Sequence, residues 1–137
     1  MDIDVGVDLV AEDRIRALLA QPDIERTVFT AGELRACAGR RDRYARLAGR
    51  FAAKEALLKA LGTGLGPGMR WTDVEVVNER SGRPAVRLHG AVARAWAAAG
   101  GGTPALSISH TGGFAIAHVV VARPGIAEPK EAACSSI

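Results

Sequence analysis

The stretch RFAAKEALLKAL, residues 50–61, followed directly by GTGLGPG, residues 62–68, decides the fold of this chain. Its residues are strong helix formers, and at about 100° per residue the polar side chains Lys54, Glu55 and Lys59 fall within one arc. A helix that is apolar around most of its circumference is buried. Because a buried carboxylate is costly unless it is paired or bound to a cation, Glu55 indicates a functional site.

Length, charge and cysteine content restrict the class of protein. The chain has 137 residues, enough for one core, and a formal charge of +3. This charge suits an acidic partner or a phosphorylated ligand but not a dedicated nucleic-acid binder. Two distant cysteines predict neither a disulfide framework nor a zinc cluster. Without a signal-peptide pattern or a membrane-spanning apolar run, we expect a soluble, cytoplasmic protein that binds no membrane.

The first residues predict a strand that leads into a basic helix. Apolar residues at the odd positions 3–9 alternate with Asp4, Gly6 and Asp8, which puts Asp8 on the face opposite the main apolar row and near the strand end. Helical spacing follows from Asp13, and the segment around Pro22 closes that helix.

The remaining patterns mix helices with antiparallel strands. A capping box over 30–33 starts a second short helix. The C-terminal half predicts a strand over 71–77, a turn over 78–84, a strand over 85–88, a helix over 91–99, and strands over 106–111 and 114–121 joined through Gly112 and Gly113. This mixture indicates an α+β fold. We expect one domain over 1–123 and a disordered tail over 124–137.

Asp8 and Glu55 are the leading candidates for a metal site. A carboxylate at a strand end and another on a buried helix suit a hard divalent cation such as magnesium. The alternatives are that each acid pairs with an arginine, or that Glu55 and Lys59 form an ordinary helix pair.

Three other features allow both a binding role and a structural one. The glycines over 62–68 can offer backbone N–H groups to a phosphate or simply end the helix. The arginines between positions 40 and 50 can grip phosphates or form a solvated helix face. His110 shares a strand face with Leu106 and Ile108, so it is either a core histidine or a ligand contact beside the Gly-Gly turn.

Three blocks of the chain together resemble the small type of the 4′-phosphopantetheinyl transferase family, the holo-acyl-carrier-protein synthases. The blocks are VGVDLV over 5–10, RFAAKEA over 50–56 with its continuation KALGTG over 59–64, and SISHT over 107–111. The resemblance implies the 4′-phosphopantetheinyl transferase-like fold, an antiparallel sheet packed against a long buried helix. It spans about residues 3–121.

The resemblance also implies an activity and its residues. The reaction moves 4′-phosphopantetheine from coenzyme A to a serine of an apo acyl or peptidyl carrier protein, needs Mg²⁺, and releases 3′,5′-ADP. Asp8 and Glu55 would hold the metal, and Asp8, Lys54 and Glu55 would be catalytic. The groups expected around the coenzyme phosphates are Arg46, Arg50, Lys54, Lys59, Gly62, Thr63, Gly64, Ser109, His110 and Thr111.

The implied partners follow from the same resemblance. Arg14 and Arg16 on the first helix would dock the acidic carrier protein. The small members form homotrimers with active sites between subunits, and one copy of the domain here predicts the same. The alternatives are a noncatalytic module that binds coenzyme A or the carrier, and a small RNA-binding domain, which lacks aromatic platforms here. The joint presence of Asp8, Lys54 and Glu55 favours the enzyme. The pathway of the carrier, fatty acid, polyketide or peptide, is left open.

Overall fold

The computed structural model describes residues 1–124, so the predicted tail lies outside the described residues except for Pro124. Helices and antiparallel strands are mixed as expected, which confirms the α+β class. No helix in this part of the chain is long and apolar enough to cross a bilayer. The elements are β1 (Asp2–Ala11), α1 (Glu12–Leu19), α2 (Ile24–Val28), α3 (Ala31–Cys37), α4 (Arg43–Leu61), β2 (Val74–Asn78), β3 (Pro84–Leu88), α5 (Gly90–Ala98), β4 (Ala105–Thr111) and β5 (Phe114–Arg123).

Three antiparallel strands form the main sheet in the order β1, β5, β4. Gly112 and Gly113 make the predicted tight turn between β4 and β5, and both have positive φ, which glycine adopts without steric cost. β2 and β3 form a separate hairpin. Strands β1 and β4 are therefore the two edges of the main sheet.

The long helix α4 packs closely across the sheet, as its sequence predicts. A Cβ atom added at Gly6 of β1 would lie 1.8 Å from the carbonyl oxygen of Ala56, and one added at Gly49 would lie 2.8 Å from Cγ2 of Ile108 in β4. The helix thus crosses diagonally, with its C-terminal half over β1 and its N-terminal half over β4. Only glycine permits this approach at position 6, because no side chain fits in the space.

The two faces of β1 are reversed relative to ordinary amphipathic strands. Asp8 does lie opposite the main apolar row, but that row faces away from α4: Ile3, Val5, Val7 and Leu9 are each more than half exposed, at 63, 57, 51 and 61%. The inner face carries Gly6 and the buried Val10 instead. The close approach of α4 explains this, since it requires the smallest residue of the strand to face inward.

One predicted strand boundary needs correction, and one short helix was missed. The strand predicted over 71–77 begins only at Val74, because Trp71–Asp73 forms a 3-10 turn in which the Asp73 carboxylate accepts a hydrogen bond from the Arg70 amide at 3.1 Å. The short helix Ile24–Val28 was not predicted. It has five residues, too few for a helical period to be visible, and it starts after Asp23, whose φ is +63°.

Candidate active site

Asp8 and Glu55 approach each other at the β1 edge of the sheet, where the C-terminal half of α4 crosses the strand. One Asp8 oxygen, Oδ1, accepts a hydrogen bond from Lys59 Nζ at 3.0 Å. The other, Oδ2, is buried and has no hydrogen-bond partner. A buried carboxylate oxygen without a donor is costly and rare, so this atom requires an explanation.

The electrostatics of Glu55 show that the two acids act on each other. Partial burial raises the pKa of Glu55, and the negative charge of Asp8 raises this pKa further. The nearby charges of Arg14 and Lys59 lower it without cancelling the rise. Two like charges in one partly buried site are the arrangement that a shared cation relieves. Lys59 directs its ammonium at Asp8 and at the Val7 carbonyl, 3.0 Å away, and not at Glu55 as the helix-pair alternative requires.

The donor set fits a magnesium ion. The pair offers an unpartnered, buried oxygen of Asp8 and a carboxylate of Glu55 whose charge is unfavourable without a cation. Within residues 1–124 no third histidine, cysteine, aspartate or glutamate joins them to form a metal cluster. Magnesium is commonly bound by one or two carboxylates, with water and substrate phosphate as its other ligands, so the pair alone is enough.

Lys54, which was predicted among the catalytic and phosphate-binding groups, lies apart from this pair in the structure. It is fully buried, and its ammonium donates to Glu33 Oε1 at 2.7 Å, to the Trp71 carbonyl at 3.2 Å and to the Val74 carbonyl. These three contacts use all three of its donors. The physical reason is the helical turn of about 100° per residue, which points Lys54 toward α3 and β2 while Glu55 points toward β1.

Arg46, Arg50 and His110, which were predicted to contact phosphates, line one cavity of about 170 Å³ near the β4 edge. Arg50 is buried, and its Nη2 donates to Asn78 Oδ1 at 2.9 Å. Its Nε is buried without a partner. Arg46 is held by Asp42 at 3.0 Å. The cavity therefore has the positive charge that an anionic ligand needs.

The other predicted coenzyme contacts lie elsewhere. Ser109 and Thr111 line a small cavity with Leu9 and Phe114 on the outer face of the sheet, and His110 lines this cavity as well as the arginine cavity. Gly62 ends α4 with a φ of +88°, which supports the helix-stop interpretation, and the following loop is exposed. Two larger cavities, of about 420 and 550 Å³, lie along α2 and contain none of the predicted site residues.

The predicted docking arginines lie exposed on α1, as their spacing requires. Arg14 is close enough to Glu55 to lower its pKa. The docking helix and the acidic pair therefore border each other.

The partners of two predicted site residues, Arg50 and Lys54, were missed. Asn78, which was predicted only as the start of a turn, holds Arg50. Glu33 was assigned only to the capping box, which it does form with Thr30, yet it also neutralises Lys54. The capping signal already accounted for Glu33, and nothing local distinguishes Asn78, so neither contact was visible in the sequence.

Comparison with known proteins decides the family. The family described as the 4′-phosphopantetheinyl transferase superfamily matches residues 4–117. The chain belongs to this superfamily. The resemblance stated from the sequence is thus confirmed.

Relatives of this superfamily are similar over nearly their whole length. A Solibacter usitatus protein named holo-[acyl-carrier-protein] synthase is 41% identical over 123 residues, covering 88% of this chain and 98% of the relative. A protein of the same name from Frankia casuarinae is 49% identical over 119 residues, covering 86% and 95%. The solved ACPS–CoA complex of Chronobacterium ammoniagenes matches with a TM-score of 0.81 and 34% identity, over 91% of this chain and 100% of that one. This likeness confirms the predicted transferase-like fold.

Proposed function

We propose that this chain is a holo-acyl-carrier-protein synthase, which transfers 4′-phosphopantetheine from coenzyme A to a serine hydroxyl of an apo acyl or peptidyl carrier protein. The observation that carries the proposal is the buried, unpartnered Oδ2 of Asp8 beside Glu55, within a chain of the transferase superfamily. The serine oxygen bonds to the β-phosphorus of coenzyme A, the bond from that phosphorus to the bridging oxygen breaks, and 3′,5′-ADP leaves with that oxygen. The proton of the serine hydroxyl passes to Glu55 or to water.

Asp8 and Glu55 would hold the magnesium ion. When bound, the ion supplies positive charge to the phosphate oxygens of the transferring and departing groups. Lys59 adds a neighbouring positive charge: it uses two donors on Asp8 and the Val7 carbonyl, and about half of its side chain is exposed, which leaves its third donor for a phosphate. Transfer of this kind depends on positioning and charge, and these residues provide both.

Binding of coenzyme A is assigned to the arginine cavity and the exposed groups near it. The guanidinium groups of Arg46 and Arg50, which line this cavity, are suited to the phosphates, with His110, Ser109 and Thr111 at the same sheet edge and Gly62, Thr63 and Gly64 beyond the end of α4. The acidic pair belongs to the β1 edge and the arginine cavity to the β4 edge. We propose that one coenzyme molecule lies between two subunits and touches the pair of one and the cavity of the other.

The outer face of the sheet supports a homotrimer as the assembly. Its exposed apolar side chains form a row on β1 that continues across β5 through Phe114 and Ile116, which are 50 and 42% exposed. A contiguous apolar patch of this kind marks a protein interface. The molar mass in solution tests the assembly: three chains are expected for the wild type and fewer for Val7→Glu, whereas a monomeric wild type would refute it. We also propose a cytoplasmic location, since the two distant cysteines predict no disulfide framework.

Transfer to the carrier tests the function. Wild-type protein is incubated with coenzyme A, Mg²⁺ and an apo acyl carrier protein, and the mass of the carrier is measured. We expect a phosphopantetheine adduct that is lost with a chelator and in Asp8→Ala and Glu55→Ala.

Asp4→Ala is the matched control for this experiment, because Asp4 lies on the same strand but pairs with Arg123 at 2.8 Å, away from Glu55. It should retain transfer. Coenzyme or carrier binding without a mass change would support the noncatalytic module, and normal transfer by both site variants would refute the assigned pair.

A further inference from the structure

The exposed arginines of α1 lie over aromatic rings of α4. The guanidinium carbon of Arg14 is 5.1 Å from the centre of the Phe51 ring, and that of Arg16 is 4.2 Å from the centre of the Tyr44 ring. Both distances lie within the range of a cation–π interaction. Tyr44 and Phe51 are seven residues apart on α4, about two helical turns, so they stand on one side of the helix.

Tyr44 differs from Phe51 because it holds two cations. The guanidinium carbon of Arg43 is 5.3 Å from the same ring, and Arg43 also pairs with Glu25 of α2 at 3.5 Å. The half-buried ring of Tyr44 therefore contacts one arginine of α1 and one of α4, and the salt bridge of Arg43 extends this group to α2. Arg14, the next positive charge along this surface, is near enough to Glu55 to affect its ionisation. The cluster of Arg16, Tyr44 and Arg43 thus lies on the same surface as Arg14, which borders the acidic pair of Asp8 and Glu55.

The cation–π contact affects what these arginines can bind. It uses none of the hydrogen-bond donors of the guanidinium, so these can still bind a carboxylate. The ring also restricts the side chain before any partner arrives, so less conformational entropy is lost on binding. The salt bridge to Glu25 also restricts Arg43, but it occupies Nη2 of this arginine, so only the remaining donors of Arg43 are open to a partner.

We propose that Tyr44 is a positioning residue that presents Arg16 and Arg43 as a paired cationic contact for a carboxylate-rich surface of the carrier protein. The inference rests on the proposed function for the identity of the partner. It adds Arg43 to the predicted docking residues Arg14 and Arg16, and it assigns the positioning role to the ring of Tyr44 and not to its hydroxyl.

The test measures equilibrium binding of a purified apo acyl carrier protein to the full chain without coenzyme A, and then steady-state transfer. Tyr44→Leu should weaken carrier binding by about two- to fivefold, the size of an exposed cation–π interaction, with KM for the carrier raised equally and with kcat and KM for coenzyme A unchanged. Tyr44→Phe should bind like the wild type. Arg16 is exposed, so Arg16→Gln cannot disturb the core. This variant should reproduce the effect of Tyr44→Leu.

Arg94→Gln is the matched control, since it removes the same charge from an exposed position on α5. It should leave carrier binding unchanged. The proposal is overturned if Tyr44→Leu and Arg16→Gln bind as the wild type does, if Tyr44→Phe is as weak as Tyr44→Leu, or if Arg94→Gln is as weak as Arg16→Gln. The binding measurement stays informative when no transfer occurs, which would instead count against the proposed function.

Discussion

Lys54 and Glu55 are consecutive charged residues on the same buried helix, but they differ in burial and in the partners that surround them. Lys54 is fully buried, yet each of its donors has an acceptor, and a carboxylate balances its charge. Glu55 is less buried, yet the acid it faces, Asp8, has an oxygen without a partner and raises the pKa of Glu55. Burial lowers the pKa of Lys54, so its charge also costs free energy, but all three of its donors have acceptors, whereas Asp8 keeps an oxygen without a partner.

This difference distinguishes a charged residue that stabilises the fold from one that is a candidate for ligand binding. A buried charge with all its partners in place is a fixed part of the core, and removing one member of such a pair is destabilising. A partly buried group with an unfavourable charge is a candidate for binding something the chain itself does not supply. Burial alone would have identified Lys54 as the unusual residue, whereas the balance of partners identifies Glu55.

The largest expected effect is on stability and concerns Lys54. Lys54→Met should lower the free energy of unfolding by about 3–5 kcal/mol, because it leaves the Glu33 carboxylate buried without its cation. Denaturant unfolding at one fixed protein concentration measures this change, since an oligomer's stability depends on concentration. Glu55→Gln serves as the comparison and should cause no such loss. A stable Lys54→Met protein would show that the buried pair is not the structural element we describe.

A smaller effect of opposite sign is expected for Glu55 in the metal-free protein. Because its pKa in the folded state lies above the ordinary value of 4.5, the folded chain holds this proton more tightly than the unfolded chain does. Stability from this group therefore falls as the pH rises from the ordinary glutamate value through the raised one. Glu55→Gln should raise the thermal midpoint near neutral pH and lose that advantage in acid.

Exposed Glu79 in the β2–β3 turn provides the control, and Glu79→Gln should leave the midpoint unchanged at both pH values. A lower midpoint for metal-free Glu55→Gln at neutral pH would mean that Glu55 is already satisfied. It would then resemble Lys54, and the contrast between the two residues would disappear.

Local signals predicted much of this fold. The long helix, the Gly-Gly hairpin and the capping box at Thr30 each depend on residues close in sequence, and each was found where expected. The pairing of Asp8 with Glu55 was also anticipated, although only as a candidate.

What escaped prediction depends on contacts between distant segments. Lys54 meets Glu33 and Arg50 meets Asn78 across 21 and 28 residues, and no helical or strand period reports such partners. The exposure of the apolar row of β1 also depends on distant segments: the row faces outward because α4 approaches Gly6 too closely for a side chain, which is a property of the packing and not of the strand.

The central claim is that Asp8 and Glu55 together hold one divalent ion, and Mn²⁺ binding tests it most directly. The loss of the free-ion EPR signal is followed at neutral pH with coenzyme A present, in the wild type, Asp8→Ala, Glu55→Ala and the control Asp4→Ala. We predict saturable binding by the wild type and by Asp4→Ala, and binding weaker by about tenfold or more in each of the other two variants. Equal Mn²⁺ affinity in all four proteins would contradict the account.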